Sequence, residues 1–395
     1  MSDSEPSALP PIPRNREDDH APEVVLERLR LCESRAGGPL RHLGGAPVQP
    51  DEARGKIENL VGFAQVPVGI AGPLLVHTTD GPVEVYVPMA TTEGAMVASY
   101  SRGMRLLREA GGARSRVVRE GLSQHPVLVY EDGAGAEAAL AWVSANGEIL
   151  RELTAGTTRH GALVGIEPEV LGRRLLVRLV FTTGDAIGIN MAARATDLCA
   201  ERIAVETGAS QRYVHGQDVE KRANARALVE GRGRSVQAEA TISRSLLEDV
   251  LRVTPEDMVA IAKTYAVGYA QLGTQNWLVQ AANGLAGVMI ATGQDAAYLT
   301  ECATGHLDLD LTSEGDLYAS VVLPSLLVGT VGGGALQGTA RECLELMGCA
   351  GDGGAPRLAE ILGATVLAGD LSLMGAFCSH EFVAAHERLG RNRPS

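Results

Sequence analysis

The sequence predicts an α+β protein in which a large mixed domain surrounds a buried central helix and carries a smaller α/β unit inserted within it. Three observations support this. The most apolar window, Trp277 to Thr292, is interrupted by Gln280 and Asn283 and is too short to span a bilayer comfortably, so it reads as a buried helix. From about Pro126 the texture changes to alternating strand and helix over roughly 90 residues, as an inserted α/β unit would. A hydrophobic content of 45% with only 4% aromatics, and 47 glycines in 395 residues, points to cores of small aliphatic side chains and close backbone packing.

The elements follow in order. Residues 1–21 are Pro-rich and charged and predict a disordered tail. Val25, Leu26, Leu29 and Cys32 recur at helical spacing, giving an amphipathic helix that stops near Gly37-Gly38. Glu58 to Leu75 is strand-like but broken by Gly62, Gly69 and Gly72, which suits close backbone approach. A helix-like run, Ala95 to Glu109, ends at Gly111-Gly112, where glycine supplies a C-cap. Inside the insertion, Pro126 to Tyr130 reads as strand and Ala136 to Ala145 as helix. Leu175, Val177, Leu179 and Phe181 share one face of a further strand, and a helix follows from about Asn190 to Val205. Helices are expected through Leu246 to Leu251 and Pro255 to Tyr269. A glycine-rich stretch, Gly329 to Gly338, and two C-terminal helices complete the chain.

Composition excludes several function classes. With 35 basic against 48 acidic residues the net charge is −13, and no basic stripe marks a nucleic-acid surface. The six cysteines form no CxxC pair and no zinc spacing, so free thiols in a reducing compartment are expected, with no disulfide framework and no structural metal. The N-terminus lacks a basic-then-apolar signal pattern, which predicts a soluble, cytoplasmic protein without a membrane anchor.

Local chemistry is sparse when each motif is taken alone. Gly133-Ala134-Gly135-Ala136-Glu137-Ala138 is an incomplete dinucleotide fingerprint, because its third glycine is alanine and no acidic residue ends a second strand. Val331-Gly332-Gly333-Gly334 lacks the Gly-Lys-Ser/Thr ending of a phosphate loop, yet it leaves room for a flat ring to approach the backbone. There is no GxSxG elbow and no Cys/His nucleophile signature. Glu93, in Pro88-Met89-Ala90-Thr91-Thr92-Glu93-Gly94, sits beside a helix start where Thr91 or Thr92 could cap, leaving its carboxylate for another task or for the helix dipole. Taken singly, Lys221, Asp295 and His386 read more readily as surface or turn residues.

Read together and in order, these motifs resemble hydroxymethylglutaryl-CoA reductases, the class I branch more than class II. The resemblance runs from about Glu58 to His386. It rests on Glu58-Asn59 with Pro67-Val68-Gly69-Ile70-Ala71-Gly72-Pro73, on Met89-Ala90-Thr91-Thr92-Glu93-Gly94 followed by Val97-Ala98-Ser99 and Arg102-Gly103, and on Gly184-Asp185-Ala186-Ile187-Gly188-Ile189-Asn190-Met191. It continues through Glu230-Gly231-Arg232-Gly233, Gly293-Gln294-Asp295, Gly329-Thr330-Val331-Gly332-Gly333-Gly334 and Leu371-Ser372-Leu373-Met374.

The resemblance implies Glu93, Lys221, Asp295 and His386 as the catalytic set. Reducing a thioester to an alcohol takes two hydride deliveries, each of which places negative charge on the carbonyl oxygen, and an ammonium such as Lys221 can hold that charge. Glu93 would donate a proton to the aldehyde, Asp295 would couple the two groups, and His386 would protonate the departing CoA thiolate. The implied small domain, 126–215, is ferredoxin-like and binds a nicotinamide nucleotide without a Rossmann fingerprint, while 22–125 and 216–395 form the catalytic, CoA-binding and dimerisation domain. Asp185 and Asn190 fall on its nucleotide motif and Gly332 and Gly333 on its glycine loop. Thr158-Arg159 aligns with the pair that meets a 2′-phosphate, favouring NADPH.

Ser99 and Arg105 match CoA-contacting positions, and Arg222, Lys263 and Asn283 match acyl-contacting ones. Two departures stand out. Glu220-Lys221-Arg222-Ala223-Asn224-Ala225-Arg226-Ala227 replaces the family run Asp-Lys-Lys-Pro-Ala-Ala-Ile-Asn, and Gln124 stands where an arginine grips the acyl carboxylate. The implied activity is NADPH-dependent reduction of 3-hydroxy-3-methylglutaryl-CoA to mevalonate and CoA in a homo-oligomer with its active site between subunits. The alternatives are a reductase of a different acyl-CoA and a non-catalytic homologue.

Overall fold

A computed structural model describes residues 9–15, 22–43, 56, 64–157 and 160–379. The first helix, α1 (Pro22–Ala36), lies where the periodicity put it, but its buried face differs. Val24 and Cys32 are buried, Cys32 packing with Leu40 and Leu346, whereas Val25 and Leu26 are exposed. Of the expected disordered tail, residues 9–15 instead pack on the fold: Leu9 N–H meets Glu84, Tyr86 Oη meets the Pro10 carbonyl, and Arg28 Nε donates to the Pro13 carbonyl at 3.0 Å.

The strand-like segment becomes β1 (Val68–Thr78), paired with β2 (Gly81–Ala90) through a turn at Thr79 and Asp80. The ladder slips between Ala71 and Leu74, where Gly72 takes a φ of 126° and Pro73 has no N–H to offer. The part of that expected segment from Glu58 to Phe63 lies outside the described residues. Helix α2 (Met96–Glu109) buries Met96, Tyr100, Met104, Leu106 and Leu107, and ends at Gly111-Gly112 as its sequence requires.

Strand β3 (Ala113–Gln124) links two sheets. Its first part pairs with β8 (Gly233–Ile242), and its last three residues, Leu122 to Gln124, pair with β6 (Arg174–Phe181). Beyond it come β4 (Val127–Val129), α3 (Gly133–Ala145), α4 (Gly147–Ala155), β5 (Leu163–Leu171), β6, α5 (Ile189–Thr207) and β7 (Gln211–Tyr213). The strands lie in the order β7-β4-β6-β5 and all pair antiparallel, which is the ferredoxin-like βαββαβ arrangement. Leu175, Val177, Leu179 and Phe181 are buried on one face of β6, as their alternation predicts.

The rest of the chain forms α6 (Ala225–Glu230), β8, α7 (Arg244–Leu251), α8 (Pro255–Leu272), α9 (Ala281–Ala291) and α10 (Leu299–Cys302). Then come β9 (His306–Leu311), β10 (Leu317–Leu326), α11 (Gly338–Leu346) and α12 (Gly354–Cys378). β9, β10, β8 and β3 run side by side, and β1-β2 joins at β3.

The central helix is α12, not the window at 277–292. The latter shortens to α9 because residues 277–280 form a loop. α12 is also the one helix among the described residues long and apolar enough to cross a membrane, yet 83% of its apolar window is buried inside the fold. It packs against α2, α9, β3, β8 and β10. Small residues permit this: a Cβ on Gly103 would stand 1.8 Å from the Ala368 carbonyl, and the Tyr100 ring fits between Gly284 of α9 and Gly369 of α12. Two buried carboxylates tie α12 to its surroundings. Glu360 accepts from Thr79 N–H at 2.9 Å and Val117 N–H at 3.1 Å, and Asp370 accepts from Val279 and Gln280 N–H at 3.0 and 2.7 Å. All six cysteines are free.

Candidate active site

Between β7 and α6 the chain turns at two non-glycine residues with positive φ, Asp218 at 30° and Lys221 at 58°. The left-handed conformation costs an ordinary residue about 1–2 kcal/mol, so something must hold Lys221 in it. Its Nζ pairs with Asp295 Oδ2 at 2.8 Å and lies 4.9 Å from the Tyr298 ring centre. Asp295 begins a 3₁₀ turn, Ala296–Tyr298, and its Oδ1 accepts the Ala297 N–H at 3.0 Å. Both side chains of the pair remain a little under half exposed, so a substrate can reach them.

Beneath Lys221 lies a buried polar cluster that the sequence reading did not assign. The Arg232 guanidinium, 3% exposed, meets both Glu301 oxygens at 3.1 Å, Glu220 Oε1 at 3.1 Å and the Ser123 carbonyl at 3.1 Å. Glu301 Oε1 also accepts the Lys221 backbone N–H at 2.5 Å. Glu220 takes further hydrogen bonds from Tyr298 Oη at 3.2 Å and Gln124 Nε2 at 3.0 Å. Burial pushes the Glu301 carboxyl above its usual range against the pull of Arg232, and it raises the Tyr298 hydroxyl as well. The signal available in the sequence was Arg232, which stands inside the Glu230-Gly231-Arg232-Gly233 motif.

Two of the expected acyl contacts are engaged elsewhere. Gln124 is 1% exposed and its Nε2 donates to Glu220 Oε1. Arg222 pairs with Asp218 at 2.6 Å, and this guanidinium draws the Asp218 carboxyl below its usual range. Lys263 on α8 and Asn283 in the first turn of α9 are exposed.

Glu93 sits at the corner between β2 and α2, exposed, with its N–H donating to Thr91 Oγ1 at 2.9 Å. Thr91 therefore closes this local turn, and the helix N-cap is Ala95, at φ 71° with no side-chain cap, rather than either threonine. Glu93 lines a large cleft with Gly94, Arg102, Arg105, Arg108 and Gly293; Lys221 and Asp295 are not among the described residues lining it. Gly293, which shares the cleft with Glu93, stands two residues before Asp295. Arg105 in this cleft is exposed and pairs with Glu109 at 2.7 Å. Ser99 Oγ is 3.1 Å from Ser372 Oγ and accepts from Gln280 Nε2 at 3.3 Å. His386 lies outside the described residues.

Of the expected nucleotide residues, Asp185, Asn190, Gly332 and Gly333 fall in two segments that the fold brings together. Thr330 N–H donates to the Asp185 carbonyl at 2.8 Å, and a Cβ on Gly329 would stand 2.7 Å from Ile187 N. Gly332 and Gly333 follow on the surface at φ 81° and 53°, with open space where a side chain would be. The Asp185 carboxylate has a structural task, accepting Gly353 and Ala355 N–H at 3.0 and 2.9 Å. Asn190 is exposed in the first turn of α5, and Thr158-Arg159 lies outside the described residues. Gly133-Ala134-Gly135 merely opens α3, where Asp132 caps by accepting the Gly135 N–H at 2.9 Å. Among the described residues no cluster of His, Cys, Asp and Glu could hold a metal ion.

The chain is 40% identical over 381 residues to the 3-hydroxy-3-methylglutaryl-coenzyme A reductase of Methanothermobacter thermautotrophicus, an alignment covering 94% of this chain and 95% of that protein. The Pyrococcus horikoshii reductase of the same name is 39% identical over 376 residues, covering 92% and 91%. Among solved structures, a 3-hydroxy-3-methylglutaryl-coenzyme A reductase of Streptococcus pneumoniae superposes with a TM-score of 0.73 at 20% identity, covering 89% of this chain and 96% of that one. A class II reductase from the same organism, bound to NADPH in open conformations, gives 0.70 at 20% identity over the same shares. At that identity the likeness speaks for the fold alone. The family model described as hydroxymethylglutaryl-coenzyme A reductase matches residues 24–391, nearly the whole chain, and this protein belongs to that family.

Proposed function

We infer that this protein reduces 3-hydroxy-3-methylglutaryl-CoA to mevalonate and free CoA, using two NADPH for the four electrons. The observation that carries the reading is the Lys221–Asp295 pair at 2.8 Å, an ammonium fixed by a carboxylate on a solvent-accessible edge and backed by a buried polar cluster. Bound NADPH supplies hydride. Lys221 holds the negative charge that grows on the carbonyl oxygen at each delivery, and Asp295 fixes the direction in which its ammonium points. Glu93 donates the proton to the aldehyde oxygen and His386 the proton to the CoA thiolate.

The nucleotide is assigned to residues 126–215, with Asp185, Asn190, Thr158 and Arg159, and to the glycines Gly332 and Gly333. The fit is supported by the bare backbone at Gly332-Gly333, which follows directly on the contact of Gly329 and Thr330 with Asp185–Ile187 and where a flat ring meets no side chain. Segments 22–125 and 216–395 form the catalytic unit. Ser99 and Arg105 are assigned to CoA, and Arg222, Lys263 and Asn283 to the acyl group. A homo-oligomer completes the site, which is assigned to the boundary between two subunits. Exposed Val267 and Leu272 on α8 supply apolar surface for that contact. The protein is assigned to the cytoplasm as a soluble enzyme.

A second reading, a reductase of another acyl-CoA, is favoured by one observation: buried Gln124 offers no guanidinium to an acyl carboxylate. NADPH oxidation against a panel of acyl-CoAs decides between them. Turnover of hydroxymethylglutaryl-CoA with kcat/KM above that of every other thioester upholds the first reading. Turnover of another thioester alone selects the second.

A further inference from the structure

We propose that Arg232 and Glu301 are positioning residues for Lys221: their buried pair clamps the Glu220-Lys221 peptide from both sides and so decides where the lysine ammonium stands. This rests on the reading of Lys221 as the group that holds the oxyanion. Its basis is geometric. The residue with left-handed φ, Lys221, has its N–H tied to Glu301 at 2.5 Å, while the side chain of the preceding residue, Glu220, is tied to Arg232 at 3.1 Å. Arg232 joins the two carboxylates and is itself anchored on β3 through the Ser123 carbonyl.

The guanidinium's whole face is used, since Nε, Nη1 and Nη2 each reach a separate acceptor. Tyr298 closes the arrangement. Its hydroxyl donates to Glu220 and its ring lies beneath the Lys221 ammonium, so the residue three positions after Asp295 braces both the loop and the lysine. A buried ion pair is a weak source of stability compared with apolar residues of similar volume, whereas it is well suited to fixing one geometry among several. An oxyanion contact loses effect when its donor is displaced by about 1 Å, so a clamp on the backbone of Lys221 acts on rate.

The test uses the full-length protein, with three readouts: melting temperature, steady-state kinetics with NADPH and hydroxymethylglutaryl-CoA, and amide hydrogen exchange at Lys221. In the double variant Arg232→Met/Glu301→Leu the apolar pair fills the space, and we expect it to melt near the wild type. Its kcat should fall about 100-fold while KM for NADPH is unchanged. Glu301→Gln keeps one acceptor for the Lys221 N–H and should lose only about tenfold. A folded double variant with wild-type kcat overturns the proposal, as does a fall in kcat and a rise in both KM values that simply track the loss in melting temperature. Should the double variant fail to fold, Glu301→Gln decides: an unchanged kcat overturns the proposal. Hydrogen exchange stands apart from turnover. The Lys221 amide should be protected in the wild type and exposed in Glu301→Leu, and an unprotected wild-type amide overturns the clamp even if the wild type reduces none of the thioesters tried. That last outcome by itself tells only against the functional reading.

Discussion

Asp185 accepts the backbone N–H groups of Gly353 and Ala355, and by this contact a residue of the loop before α5 caps the buried helix α12. Gly353, the N-cap residue of that helix, lies 168 residues further along the chain. The loop before α5 and the central helix are therefore tied through one carboxylate.

Replacing Asp185 with Ala removes that cap. The expected cost is about 1 kcal/mol, within the range for a lost helix cap, and a melting temperature lower by a few degrees. Calorimetry checks it; a variant as stable as the wild type would show that α12 draws nothing from the contact.

Gly332→Ala and Gly333→Ala meet no neighbour, so each should cost only about 1 kcal/mol for the positive φ. If the nucleotide lies on this backbone, KM for NADPH rises at least fivefold in one of them while KM for the thioester holds. Equal KM values in both variants would move the nucleotide elsewhere.

Gly103→Ala is expected to be severe, because the new methyl would stand 1.8 Å from the Ala368 carbonyl where α2 crosses α12. Overpacking of this kind costs about 1–3 kcal/mol or more, and the helices must separate to relieve it. Urea unfolding measures the loss; a midpoint shift under about 0.2 M would refute the close crossing.

Two buried groups give stability opposite slopes with pH. Burial pushes Asp370 up to about 7 despite its two backbone N–H donors, so the folded chain holds this proton more tightly than the unfolded one. Its contribution is full below about pH 4 and is lost as pH rises to about 7. Burial lowers His125 to about 4, a shift that its Gln217 contact opposes. Its contribution is present above about pH 6.5 and is lost as pH falls toward 4. Asp370→Asn should therefore leave a melting temperature that climbs with pH between about 4 and 6.5. A parallel pH curve for variant and wild type would count against a titrating Asp370.

Lys221→Ala should reduce kcat by at least 10³ with the fold intact, whereas Arg222→Ala, whose pair with Asp218 is exposed, should alter stability by under about 0.5 kcal/mol. Steady-state rates with circular dichroism compare them. Wild-type kcat in Lys221→Ala removes the lysine from the chemistry.

Much of the fold was legible where one periodicity dominates. α2 ends at its glycines, β6 buries its alternate residues, and α5 starts within a residue of expectation. Strands such as β3, β8 and β10 were missed because they are covered on both faces or carry charged residues that pair across the sheet, as Arg114 does with Glu239 at 2.7 Å. The buried helix was misplaced for a related reason. Glu360 and Asp370 interrupt the apolar run of α12, and only the backbone donors that satisfy them make their burial acceptable.

By itself the sequence determined the family, through motifs kept in order along the chain, and from that resemblance followed the α+β architecture with its ferredoxin-like insertion and the residue types that could carry a thioester reduction. Tertiary structure alone decided that Lys221 meets Asp295, that Gln124 is turned inward onto Glu220, and that Arg232 and Glu301 lie beneath the lysine. Those relations join residues tens to hundreds of positions apart. They arise from the desolvation of charged groups that must find partners once buried, and no local pattern encodes which partner that will be.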